Sequence, residues 1–241
     1  MTTEETIPID RWLRHLNRFL KVARAGIDPE GVHQVRVATR RLDAWLVLGG
    51  WRVYRDDLRW LRRRASTVRD LDALLGRKGL PKSIRQPLMG MKRQAHADFR
   101  LACDDQRLAA LMVGLATLHP LKIAEARKLL SRMLRDASEA GEEVETDGSN
   151  LEALHRLRRA LRRLRYGLES IGKSTSPLKQ LQEMLGNVND LAVSLRCLDQ
   201  LPSALIPPRY RSGLEDELAL SLPLARGLWI DEKHEIKRTV V

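Results

Sequence analysis

The stretch VHQVRVATRRLDAWL, beginning at Val32, shares its spacing with LHRLRRALRRLRYGL, beginning at Leu154. Both hold H-x-x-R-x-x-x-R-R without a gap. His33, Arg36, Arg40 and Arg41 form the first copy, and His155, Arg158, Arg162 and Arg163 the second. At ~100° per residue, Arg36 and Arg40 fall within about 60° of His33 on a helix. The row is about 10 Å long. Val32, Val35, Thr39, Leu42 and Leu46 gather on the far side, as do Leu154, Leu157, Leu161, Leu164 and Leu168. Each copy is therefore expected to be an amphipathic helix with an apolar stripe for a core and a cationic stripe opposite. One Arg-rich helix is ordinarily a solvated face. Two in the same register, each led by a His, point to a receptor for an extended polyanion.

The rest of the chain has helical period and no strand-like alternation. Helices are expected over about Asp10 to Ala25, Asp28-Pro29-Glu30 to Leu48, and Asp56 to Leu75, with Gly26, Gly49-Gly50 and Gly76 as stops. A long helical stretch opens at Pro81 and runs to about Leu115, with a break near Asp104-Asp105. A further helix follows His119-Pro120 and ends near Gly141. The segment EEVETDGSN reads as a linker, and Ser149 or Asn150 is placed to cap the His155 helix. Later helices start at Ser176-Pro177 and Pro207-Pro208. A break is expected at Pro223, and fraying over KHEIKRTVV. The repeat extends past the motif helices: Arg69-Asp70-Leu71 corresponds to Asn189-Asp190-Leu191, and Leu61 to Leu181. The reading is an all-α chain of two similar helical bundles, the first half over about 10–140, a linker at about 141–149, and the second half over about 150–230.

Charge points the same way. With 43 Lys+Arg against 31 Asp+Glu the formal charge is +12, which favours encounter with anions without choosing among them. Six of the ten positions from Arg156 to Arg165 are Arg, and the planar guanidinium fork binds phosphate bidentately. Cys103 and Cys197 stand alone, so neither a zinc site nor a disulfide framework is indicated. No apolar stretch approaches the ~18 residues needed to span a bilayer. A cytoplasmic protein with no membrane partner is expected.

In these features the chain resembles the CHAD domain (conserved-histidine α-helical domain). The pair of H-x-x-R-x-x-x-R-R helices, each followed by a helix carrying L-x-x-L and a polar-Asp-Leu triplet, bears the likeness. It spans roughly Asp10 to Trp229, so residues 1–241 read as a single, stand-alone domain of that family. The resemblance implies two four-helix bundles related by a pseudo-twofold axis around a basic groove. It also implies non-catalytic binding of inorganic polyphosphate, with roles in targeting to polyphosphate granules or in assisting a separate polyphosphate-metabolising protein. Carried over by position, it assigns His33, Arg36, Arg40 and Arg41 on one helix and His155, Arg158, Arg159, Arg162, Arg163 and Arg165 on the other. A looser match adds Lys92 and Arg93. Val37 replaces the equivalent of Arg159, and Asp43 that of Arg165, so the second half is expected to bind more strongly.

Other chemistries weigh less. Neither motif His has a second His, or a carboxylate at i+3 or i+4, so no metal site and no cofactor is expected. Arg neighbours disfavour the imidazolium, yet a neutral ring still donates one hydrogen bond to a phosphate oxygen. Asp70 and Asp190 are expected to hold Arg side chains rather than to act as catalytic carboxylates. Arg69 is expected either to line the groove or to pair with Asp70 or Asp72. No P-loop, H-E-x-x-H or G-x-S-x-G occurs, so an enzyme is not expected. The alternative reading is a helical protein binding the nucleic-acid backbone. It lacks aromatics interleaved with the Arg rows. A scaffold docking an acidic protein is a third possibility.

Overall fold

The computed structural model describes residues 5–240, and among them the chain is helical almost throughout. It divides into two compact units, one closing at Lys122 and the other opening at Ile123. The boundary falls well before the expected linker. Residues 142–146 continue a helix, and only 147–150 form a turn before the next. Glycine and acidic composition suggested a linker there. However, Gly141 lies inside the helix because its missing Cβ admits Trp229: a methyl group would sit 2.0 Å from the indole Cζ2.

The first unit contains α1 (Asp10–Ala25), α2 (Pro29–Leu48), α3 (Arg55–Leu75), α4 (Lys82–Cys103) and α5 (Gln106–Ala116). Consecutive helices from α1 to α4 pack side by side, and α4 returns to touch α1. The α4–α5 break lies where Asp104-Asp105 predicts it, with the Asp105 carboxylate accepting from the Arg107 amide at 2.8 Å. α5 then rests on α3, where Arg107 pairs with Asp57 at 2.7 Å and lies over Trp60. A short antiparallel bridge joins β1 (Thr6–Ile7) to β2 (Leu121–Lys122). It ties the beginning of the unit to its end, and buried Trp45 donates its indole N–H to the Ile7 carbonyl at 3.0 Å.

The motif helix α2 is set by its start. Asp28 caps it by accepting from Glu30 N at 2.8 Å, and Pro29 follows at the first helical position. Gly31 then allows α2 to approach α1 closely, since a Cβ there would lie 2.6 Å from the Ala23 amide nitrogen. Val32, Val35, Leu42 and Leu46 are buried, with Thr39, as the periodicity predicts.

The second unit contains α6 (Ile123–Thr146), α7 (Leu151–Ser170), α8 (Lys179–Leu198) and α9 (Pro208–Val240). Each packs on the next, and α9 also packs on α6. α9 corrects two expectations. It runs unbroken through Pro223, and its tail is helical to Val240 instead of frayed. Proline removes one backbone hydrogen bond, to the carbonyl of exposed Ala219, which water can satisfy. Leu214, Leu218, Ala225, Trp229 and Ile236 are buried on both sides of it, so packing holds the helix in place. At the end, Lys173 Nζ donates to the Thr239 and Val240 carbonyls at 3.2 and 3.1 Å.

Candidate functional site

In the second unit the site begins with a cap. Asn150 Oδ1 accepts from Glu152 N at 3.0 Å and from Ala153 N at 3.1 Å, which fixes the start of α7 one turn before His155. Leu154, Leu157, Leu161, Leu164 and Leu168 are buried, so the Arg-rich face is turned away from the core. Acidic neighbours do not treat its guanidinium groups alike. Arg156 pairs with Glu143 on α6 and with Glu152. Arg163 leans to Asp136 on α6 at 3.6 Å. Arg165 lies 3.5 Å from Glu169 and over the Tyr166 ring. Arg158 and Arg162 are half-buried. Arg159 is exposed and carries no ion pair among the described residues.

His155 is half-buried, and its Nδ1 lies 3.1 Å from Asn189 Oδ1 on α8. The Asn189 amide nitrogen donates to Asp190 Oδ1 at 3.2 Å, so its oxygen faces the imidazole. That oxygen can only accept, and the proton of the neutral ring therefore sits on Nδ1. The one hydrogen bond a neutral ring could give to phosphate is already given to Asn189. Burial lowers the pKa of His155 below its usual value; Arg159 adds to this, Asn189 and Glu152 oppose it, and Arg158 lowers it further. Between the α7 start and α8 lies a cavity of about 280 Å³, lined by His155, Arg158 and Asn189, with Arg196 and Glu152 also on its wall. Arg196 was not singled out by the repeat, because it follows the Asn-Asp-Leu triplet by more than a turn. The signal that could have found it is its place on the Val188–Asn189–Ala192 face of α8.

The first unit arranges the same motif differently. Arg36 pairs with Asp70 on α3 at 3.1 Å, with its own side chain 14% exposed. Asp70 thus holds an Arg as expected, whereas Asp190 meets Asn189 and no Arg partner among the described residues. Arg41 turns to α1, its guanidinium 4.3 Å from the Trp12 ring centroid in a cation–π contact. Arg40 is half-buried on the same turn. Asp72 is taken by Lys92 at 2.5 Å, and with Asp70 also occupied, Arg69 pairs with neither. Burial again lowers the pKa of His33; Glu30 opposes this, and Arg69, Arg36 and Arg40 reinforce it. Arg93 is exposed beside Lys92, and both border a second cavity of about 450 Å³ with Arg85 and His96.

Asp43, expected to weaken anion binding, is engaged within the unit. Its carboxylate lies 2.9 Å from Arg55 Nε and 4.0 Å from Arg62, and the side chain is 12% exposed. The structure thus brings Arg36 and His33 together with Arg69 on α3, and His155 and Arg158 together with Arg196 on α8. It directs Arg41 and Arg163 sideways onto the preceding helix. Among the described residues, no cluster of three His, Cys, Asp or Glu is arranged to hold a metal ion. No helix there is long and apolar enough to cross a membrane.

The CHAD domain family model matches residues 9–199, most of the chain. This chain belongs to the CHAD domain family. α9 lies beyond the matched segment. The fold is also similar to two solved structures. A CHAD domain from the plant Ricinus communis is 22% identical with a TM-score of 0.63, over 96% of this chain and 88% of that one. PptA from Streptomyces chartreusis is 18% identical with a TM-score of 0.64, over 96% of this chain and 93% of that one. No curated protein sequence matches.

Proposed function

We propose that this CHAD protein binds inorganic polyphosphate through the cationic faces of α2 and α7 and catalyses no reaction on it. The observation that carries the reading is the charge balance on α7. Six of ten positions from Arg156 to Arg165 are Arg. Neighbouring carboxylates take Arg156, Arg163 and Arg165, while Arg159 stands exposed with no acidic partner among the described residues. Such a row repels itself until an anion with regularly spaced charges lies along it. Polyphosphate supplies one charge per unit and no base to stack. The reading extends to two similar four-helix bundles arising by internal duplication, with α2 and α7 each offering a basic face. Its biological setting is association with polyphosphate granules or support of a separate polyphosphate enzyme in the cytoplasm.

The test is binding of purified protein to long-chain polyphosphate at ~150 mM salt, where surface charges more than a Debye length of ~8 Å apart are screened. Double-stranded DNA, RNA and heparin serve as competitors. Retention of polyphosphate against all three is the expected result. Equal displacement by each would reduce the site to a basic surface, and would return nucleic acid as the leading partner.

A further inference from the structure

We propose that the cavity between α7 and α8 is a subsite for the terminal phosphoryl group of a polyphosphate chain, distinct from the exposed Arg face that takes internal units. The inference rests on the polyphosphate reading and refines it. Three features of the cavity carry it.

The first is size. Leu154, Leu185 and Val188, all buried, line the cavity alongside its polar groups, and its volume is about 280 Å³. Space of that size against packed helices admits a phosphoryl group.

The second is charge. Arg158 from α7 and Arg196 from α8 border the cavity from opposite helices. Arg196 is exposed and carries no ion pair among the described residues. Glu152 also lines the wall and opposes an anion; Arg156 lies 3.7 Å from it but is shared with Glu143. Apolar walls beside these cations strengthen their field over that of an open face. A terminal phosphoryl group, with a second ionisation near neutrality, gains more from that field than an internal unit with one charge.

The third is the proton. With His155 Nδ1 committed to Asn189, the remaining ring nitrogen, Nε2, accepts in the neutral state. An internal phosphate unit offers only acceptor oxygens and would meet it lone pair to lone pair. A terminal unit is the one part of the chain that can carry a P–OH. That hydroxyl donates to Nε2, or its proton passes to the ring and leaves an imidazolium beside a dianion. No proton is gained or lost overall in either case. The charged and polar groups around the ring are Glu152, Arg158 and Arg159 on α7, and Asn189 and Arg196 on α8.

Linear tetrapolyphosphate and cyclic tetrametaphosphate both contain four phosphate units, and only the linear form has ends. Calorimetric titration should show the linear form binding at least tenfold more tightly. Arg196→Ala should bring that ratio below threefold. Because the linear form also carries more charge, Arg159→Ala on the exposed face is the control. It should weaken both forms together and preserve the ratio. Equal affinity for the two forms, or a preference that survives Arg196→Ala, overturns the subsite. Binding of long-chain and cyclic forms without preference overturns the subsite alone. Failure of every polyphosphate to bind overturns the parent reading and the subsite together.

Discussion

His33 and His155 lead the same motif on α2 and α7, yet their neighbours differ in one position that changes the chemistry. Beside His33 stands Arg69, and beside His155 stands its sequence counterpart Asn189. In the first unit the facing helix brings a cation to the imidazole, and Asp70 ties down Arg36. In the second, the facing helix brings a neutral acceptor that orients the ring, and no carboxylate among the described residues claims Arg159. Equal motifs therefore meet unequal surroundings. Asp43, which stands where α7 has Arg165, is engaged by Arg55. The halves also differ at Val37, which stands for Arg159, and at Arg69, which stands for Asn189.

The strongest way to break this comparison is charge reversal in each unit. Arg158→Glu with Arg162→Glu should lower polyphosphate affinity by two orders of magnitude or more, since each lost charge-assisted contact costs about 1.5–3 kcal/mol. Arg36→Glu with Arg40→Glu should cost clearly less. Equal losses in titrations of both folded variants would end the asymmetry.

A smaller effect sharpens it. Val37→Arg restores the cation that α2 lacks, and Arg159→Val removes it from α7. The first should raise affinity severalfold and the second lower it by a similar factor in the same titration. No gain from Val37→Arg would mean that position 37 does not address the ligand.

The smallest effect is on stability against pH. Both motif histidines have lowered pKa values in the folded chain, chiefly through burial. The unfolded chain therefore takes up protons first as pH falls. The stability they lend is full above the ordinary histidine value of 6.5 and is lost as pH drops from there towards the lowered folded values. Denaturation midpoints should decline over that window, and His155→Gln should flatten part of the decline. A bound polyanion stabilises the imidazolium, so affinity should move the other way and rise as pH falls. An unchanged pH profile in the variant would remove His155 from this linkage.

The periodicity of the apolar residues made much of the fold legible. α1 spans Asp10–Ala25 and α2 ends at Leu48, because glycine stops and a proline start leave the backbone little choice. The Asn150 cap and the break at Asp104-Asp105 were legible for the same local reason. Pro223 and the segment 142–146 were misread. Local signals for a break and a linker were overridden there by Trp229 packed against Gly141 and by the buried face of α9.

The sequence by itself determined the helices, their buried stripes and the cationic rows, because each depends only on spacing along a 3.6-residue turn. Tertiary structure alone decided which cations are occupied. Arg36 meets Asp70, Arg41 meets Trp12, and Arg163 meets Asp136, each across to another helix. The same holds for the Nδ1 proton of His155, which depends on Asn189. A side chain's partner is set by distance in space, and helices far apart in sequence supply it.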